Sequence, residues 1–233
     1  MIKLFRKNRQ NSLMEGKIVN YFRYAIGEIF LVVMGILIAL YINNNNSERL
    51  VKISEISSYK NIKRQINDDK IAINSSNEQN KKLYKKYITA IYIIEQNNRK
   101  KIDILGKIAL DLTDYSDIDR SSTIYQNLIN SGESKILKNR EILDHIQKLE
   151  EAYIFVNRIE QIHFKIINNI GQDLYKNIKF YDQSVREPEK VFGIDFQNHF
   201  IAAYSICIKK EYAYGIALKQ IEIITKLIDE EIK

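Results

Sequence analysis

Three histidines offer the first test for chemistry. His145, His163 and His199 stand 18 and 36 residues apart, outside any short metal-ligand spacing. His163 falls on the apolar stripe of a helical run, where an imidazole reads as a core side chain. Cys207 occupies a similar stripe and reads as a small buried hydrophobe, with no setting that would lower its pKa. As the single cysteine it rules out an intrachain disulfide and a cysteine-only zinc site. Asp111, Asp114, Asp117 and Asp119 crowd one short run, but the central glycine and terminal glutamate of an EF-hand loop are missing. That run reads as a solvated connection whose acids cap neighbouring helices, and Ser121, Ser122 and Thr123 suit the cap of the next one. The chain has no glycine-rich phosphate loop, no Gly-x-Ser-x-Gly elbow and no His-Glu-x-x-His helix. Its 15 tyrosines, Tyr84, Tyr87 and Tyr92 among them, are expected to fill a helical bundle and its rim. No enzymatic activity, cofactor or metal is expected.

One ionisable residue has an unusual place. Glu28 is the single charge in the stretch Tyr24–Ile42, which runs almost without polar groups through Ile29–Ile42. At helical rise this stretch spans about 28 Å, close to the ~30 Å hydrocarbon core of a bilayer. Tyr21, Phe22 and Tyr24 at one end and Tyr41 at the other suit the two aromatic interface belts. A buried core helix would show a polar face, and this stretch has none. Small residues for signal-peptide cleavage are absent after it, so the segment is expected to stay as a transmembrane helix. Glu28 then lies roughly 6 Å inside the span, either as a hydrated interfacial carboxylate or as a proton-carrying or partner-pairing group. Steps of three and four from Glu28 reach Val32, Gly35 and Ala39 on one helix face. Gly35-x-x-x-Ala39 is a small-x-x-x-small pair of the kind that lets two membrane helices approach.

Charge follows the same plan. The formal net charge is +7, and residues 1–23 hold +5 of it through Lys3, Arg6, Lys7, Arg9, Lys17 and Arg23 against Glu15. A nucleic-acid binder should carry its basic surplus on the folded domain, so nucleic acid is not an expected partner. Six cations precede the apolar stretch, and only Arg49, Lys52 and Lys60 follow it closely. The N-terminus is therefore expected in the cytoplasm and the rest outside it. Ile2, Leu4, Phe5, Leu13, Met14 and Ile18 alternate with those cations, which suits an amphipathic segment on an anionic inner leaflet.

With one proline and eight glycines in 233 residues, an all-β fold is nearly excluded. No glycine or proline interrupts Ile36–Leu105, and Tyr59, Ile62, Ile66, Ile73, Tyr84, Tyr87, Ile91 and Ile94 form a helical seam. The polar patch Asn74–Asn80 weakens it. A second seam runs Ile142, Ile146, Leu149, Tyr153, Val156, Ile159, His163, Ile166, Ile170, Leu174, Ile178. A third runs Phe196, Phe200, Ala203, Cys207, Leu218, Ile221, Ile224, Ile228. Shorter helical pieces fall near Ile102–Leu112 and Ser121–Ser131, with Gly132 placed as a C-cap. Asp182–Pro188 reads as the clearest break, with Pro188 as the stop. The fold class expected is all-α: an N-terminal transmembrane helix, then an elongated antiparallel bundle of three long helices with a short helical insertion.

Met1-Ile-Lys-Leu-Phe-Arg-Lys7, Tyr24-Ala-Ile-Gly-Glu-Ile29 and Gly35-Ile-Leu-Ile-Ala-Leu40 together carry a resemblance. They resemble the N-terminus of a domain-of-unknown-function family of single-pass membrane proteins in Bacteroidetes. Ile124-Tyr-Gln-Asn-Leu-Ile-Asn-Ser-Gly132, followed by Lys138-Asn-Arg-Glu-Ile142, is similar to that family's second recurring block. Where the family shows a Trp and then a Glu after the membrane, this chain has Asn45 and Ser47. The resemblance implies topology and taxon, and no activity.

The division expected is a basic amphipathic cytoplasmic segment (1–23), a transmembrane helix (24–42) and an extracytoplasmic helical bundle (43–233). The expected role is a protein-interaction or scaffold module anchored in the bacterial inner membrane, its C-terminal domain periplasmic. Expected partners are the lipid bilayer, another envelope protein and a second copy through the transmembrane helix. The alternatives are a small-molecule sensor bundle and a subunit of an ion-linked membrane assembly through Glu28.

Overall fold

The computed structural model describes residues 18–118 and 124–233, with side chains from Phe22 onward. Among these residues all the regular structure is helical, apart from one isolated antiparallel bridge between Ile178 and Val185. The α-helices are α1 (Ile18–Glu95), α2 (Ile102–Leu110), α3 (Ile124–Asn130), α4 (Arg140–Asn177), α5 (Pro188–Val191) and α6 (Ile194–Glu231). The chain divides after Ser54 into two compact units, residues 1–54 and Glu55–Lys233.

In the first unit the described residues are helical, and Ile29–Ser54 are exposed without exception. Here α1 carries the one described segment long and apolar enough to cross a membrane, and none of that stretch is buried within the chain.

The second unit is a bundle of α1 from Glu55 on, α4 and α6. Its helix ends follow local chemistry. The C-terminal end of α1 is closed by Asn97, whose φ of +46° is one that asparagine tolerates. Asn98 N donates to Ile93 O and Asn97 N to Ile94 O, the paired bonds of a Schellman cap. Gly132 adopts φ +75° just after α3, as its position foretold. Asn139 caps α4 by accepting from Glu141 N and Ile142 N. Pro188 behaves otherwise than expected: it opens α5, where its missing N–H costs nothing, rather than stopping α4. The stop lies earlier, where Ile178 turns extended and enters a tight hairpin. Ser121, Ser122 and Thr123, the expected caps of α3, fall outside the described residues.

Side-chain bonds give the helix directions. Lys63 pairs with Asp229, Asn80 with the Cys207 carbonyl and Tyr87 with Phe200, so α6 runs antiparallel to α1. His145–Gln220, Glu160–Tyr214 and Asp173–His199 make α4 and α6 antiparallel as well. Asn139 meets Tyr59 and Tyr153 meets Asp69, so α1 and α4 run in the same direction. That is possible because the insertion between them travels back along the bundle. It starts beside Lys86 and Tyr87, which bind Asp111, and ends beside Ser58 and Glu55, which bind Glu133 and Lys138. The three seams supply the core. Tyr84, Ile91, Ile166 and Leu218 are only half-buried, and every other seam residue is buried. This core falls into two apolar clusters, one around Ile66, Ile146 and Ile224 and one around Tyr87, Leu174 and Phe200.

Candidate functional site

Between the two apolar clusters lies a layer of buried polar side chains. Glu160 and His163, three residues apart on α4, share one face of that helix and point inward. From α6, Lys210 and Tyr214 face them at a four-residue step, with Cys207 one turn away. Lys210 is 1% exposed, His163 3% and Glu160 4%, so water cannot solvate their charges.

The segment between α2 and α3 replaces that water. It leaves the short 3-10 turn Asp111–Thr113 with Asp114 extended, and lies over the polar layer as far as Ile118. Lys210 Nζ donates to the Ser116 carbonyl, and the ammonium sits 5.3 Å from the centre of the Tyr115 ring. Glu160 Oε1 accepts from Tyr214 Oη at 2.9 Å and from Ile118 N at 3.2 Å. Tyr115 also packs its ring 5.6 Å from that of His163. Thus one short connection feeds the buried amine through a carbonyl and the buried carboxylate through an amide. His163 Nδ1 and, on α1, Asn77 Oδ1 are buried and have no hydrogen-bond partner among the described residues.

The electrostatics follow from burial. Loss of water pushes the Glu160 carboxyl up, against the pull of Tyr214, Lys210 and the Ile118 amide. It pushes Lys210 down, opposed by Glu160. His163 is lowered to about 4 by burial and by the Lys210 charge, so its ring is neutral at pH 7. Cys207 is raised to about 11 by burial and stays a thiol. A depressed amine, a raised carboxyl and a neutral imidazole thus lie together, with the amine and the carboxyl bonded to the chain's own backbone at Ser116 and Ile118. The layer joins α4, α6 and the Ser116–Ile118 connection.

The sequence-derived candidates fall elsewhere. Glu28, Val32, Gly35 and Ala39 share one side of α1 by helical spacing; Glu28 is half-buried and the other three are exposed. A Cβ added at Gly35 would meet nothing within 4 Å. Of the proposed inner-leaflet cations, Arg23 is exposed on α1, and Lys3, Arg6, Lys7, Arg9 and Lys17 lie outside the described residues. The histidines are not brought together: His145 bonds Gln220 and His199 bonds Asp173. Asp111 pairs with Lys86 at 2.9 Å, and Asp119, the last aspartate of its run, lies outside the described residues.

Glu160 and Lys210 were not among those candidates, although their signal was present. Lys210 stands three residues after Cys207 in the third seam, and Glu160 three before His163 in the second. A charge at a seam position must find a partner or leave the seam. No family model, no curated protein and no solved structure matches the chain.

Proposed function

We propose that this chain is a membrane-anchored helical module of the bacterial envelope that works by binding another envelope protein. The observation that carries the reading is the exposed apolar segment of α1, which has bilayer length and leads into a separately packed helical unit. The excess of cations before it favours a cytoplasmic N-terminus and a periplasmic bundle. On this reading the chain stands with the single-pass family that its anchor block resembles. The interior of the bundle argues for a protein partner over a small-molecule ligand. In its buried Glu160–Lys210 layer the amine is bonded to the Ser116 carbonyl and the carboxylate to the Ile118 amide. The groove between α1 and α3 lined by Ser58, Gln65, Leu128 and Glu133 has a volume of 140 Å³, below the ~300 Å³ of ordinary ligand pockets, and the 610 Å³ hollow at Tyr92–Lys100 is lined by mostly exposed polar side chains at a helix end.

The test is two-part. Alkaline phosphatase fused after Lys233 should be active, and crosslinking in cells followed by detergent purification of the full chain should recover a stoichiometric protein partner. Activity of a cytoplasm-only reporter at the same position would overturn the topology. Recovery of the chain alone, or of copies of itself only, would overturn the partner reading.

A further inference from the structure

The hairpin after α4 is held more firmly than a plain connection requires. Lys179 N donates to Ser184 O at 2.9 Å and Arg186 N to Asn177 O at 2.8 Å, on either side of the Ile178–Val185 bridge. Asp182 Oδ1 accepts from both the amide and the hydroxyl of Ser184, and Gln183 takes a φ of +62°. On the inner side, the Gln183 carbonyl seats on Gly106 of α2, so closely that a Cβ there would overlap it. The turn is pinned to the bundle. Its outer side carries aromatic rings into solvent. Phe180 and Tyr181 project from the hairpin, Tyr181 fully exposed, and Tyr175 from the last turn of α4 stacks on Phe180 at 5.0 Å and 21°.

Charge decides which surface suits these rings. Across Tyr175–Glu187 the exposed cations Lys176, Lys179 and Arg186 stand with two acids, Asp182, whose carboxylate is occupied by Ser184, and Glu187 at the far end beside Arg186. Tyrosine rings with a hydroxyl edge, here Tyr175 and Tyr181 on either side of the apolar Phe180, flanked by long basic side chains, are a composition that settles at the headgroup level of a bilayer. The net charge of +1 on this segment, with Lys176 and Lys179 flanking the rings and Asp182 tied up by Ser184, favours anionic lipid. We infer that the 178–185 hairpin is a lipid-contacting tip. Phe180 and Tyr181 enter the boundary between headgroups and acyl chains of an anionic bilayer, Tyr175 backs them, and Lys176 and Lys179 meet lipid phosphates. The inference needs neither the protein partner nor the topology proposed above.

The chain has no tryptophan, so Tyr181→Trp installs a single reporter at a fully exposed position where folding is not at stake. The full-length variant is placed in liposomes of brominated lipid rich in phosphatidylglycerol, with the same vesicles added outside, so that contact with either bilayer is read. The expected result is a blue-shifted indole emission quenched by the brominated chains, and loss of both in phosphatidylcholine alone. Tyr212→Trp, at an exposed ring on α6, should stay unquenched. Adding Lys176→Gln or Lys179→Gln to the Tyr181→Trp chain should weaken binding roughly fivefold per charge removed. Water-like, unquenched emission in both lipids would overturn the inference, as would equal quenching of the Tyr212→Trp chain. So would a blue shift without bromine quenching that grows with protein density, since a second copy would then be the occupant.

Discussion

Asn80 on α1 donates its side-chain amide to the main-chain carbonyl of Cys207 on α6 at 2.7 Å, inside the bundle and 127 positions away. Asn80 is 2% exposed and ends the polar patch that interrupts the first seam. A buried amide that keeps its partner contributes modestly, but the partner left behind costs more. Asn80→Ala should therefore destabilise the bundle by about 1–3 kcal/mol. Urea unfolding of the detergent-solubilised chain, followed by circular dichroism, measures this. A midpoint equal to wild type would mean the bond contributes nothing.

Lys210 and Glu160 make a stronger case. Removing one of two buried charges strands the other, at a cost of about 3–5 kcal/mol, whereas removing both charges is far cheaper. Lys210→Met alone should thus be severely destabilising, and Lys210→Met with Glu160→Gln should recover most of the loss. Glutamine can still accept from Tyr214 and Ile118 through its carbonyl oxygen. The double-mutant cycle reads the coupling directly, and additive effects would show that the two groups do not sense each other.

Acid should weaken the fold through His163. Its folded pKa of about 4 lies below its ordinary value of 6.5, so the folded chain refuses a proton that the unfolded chain accepts. Its contribution is complete above pH 6.5 and is lost as pH falls from there toward 4, to a limit on the order of 3 kcal/mol. Glu160 acts in the opposite sense, because its raised carboxyl takes up a proton sooner in the folded chain and offsets part of the loss in acid. Thermal melts at pH 7 and pH 5 should show the wild type losing stability and His163→Phe losing much less. Equal losses would remove His163 as the cause.

Much of the bundle is legible in the seams, because a helix shows its buried face as periodicity. Ile142 through Ile178 and Phe196 through Ile228 are buried in the structure nearly residue for residue. Periodicity ranks residues by hydrophobicity, however, and is silent on polar residues that find partners far away. Lys210 is buried because a carbonyl 94 positions earlier reaches it, and Glu160 because an amide 42 positions earlier does. Asn80 lies in a patch that reads as a weak point and is instead a fastening. The end of α4 was misplaced for a related reason. Ile178 keeps the apolar character of the seam, but it reaches the core from an extended hairpin and not from a helix.

The small-residue face of α1 gives the last prediction. Glu28, Val32, Gly35 and Ala39 lie along one side, and the Gly35-x-x-x-Ala39 pair would let a second anchor helix approach closely where lipid supplies no hydrophobic drive. Within a single chain, a Cβ at Gly35 meets nothing within 4 Å. Gly35→Ile therefore disturbs no packing of the chain itself, and any loss of association must arise between copies. Dimer formation in a membrane two-hybrid assay should fall, with expression and insertion unchanged. Glu28→Gln then separates two roles for the carboxyl: a hydrogen-bonding contact survives the change, and a proton carrier does not. Equal association of wild type and Gly35→Ile would remove this face from consideration and leave the segment a plain anchor.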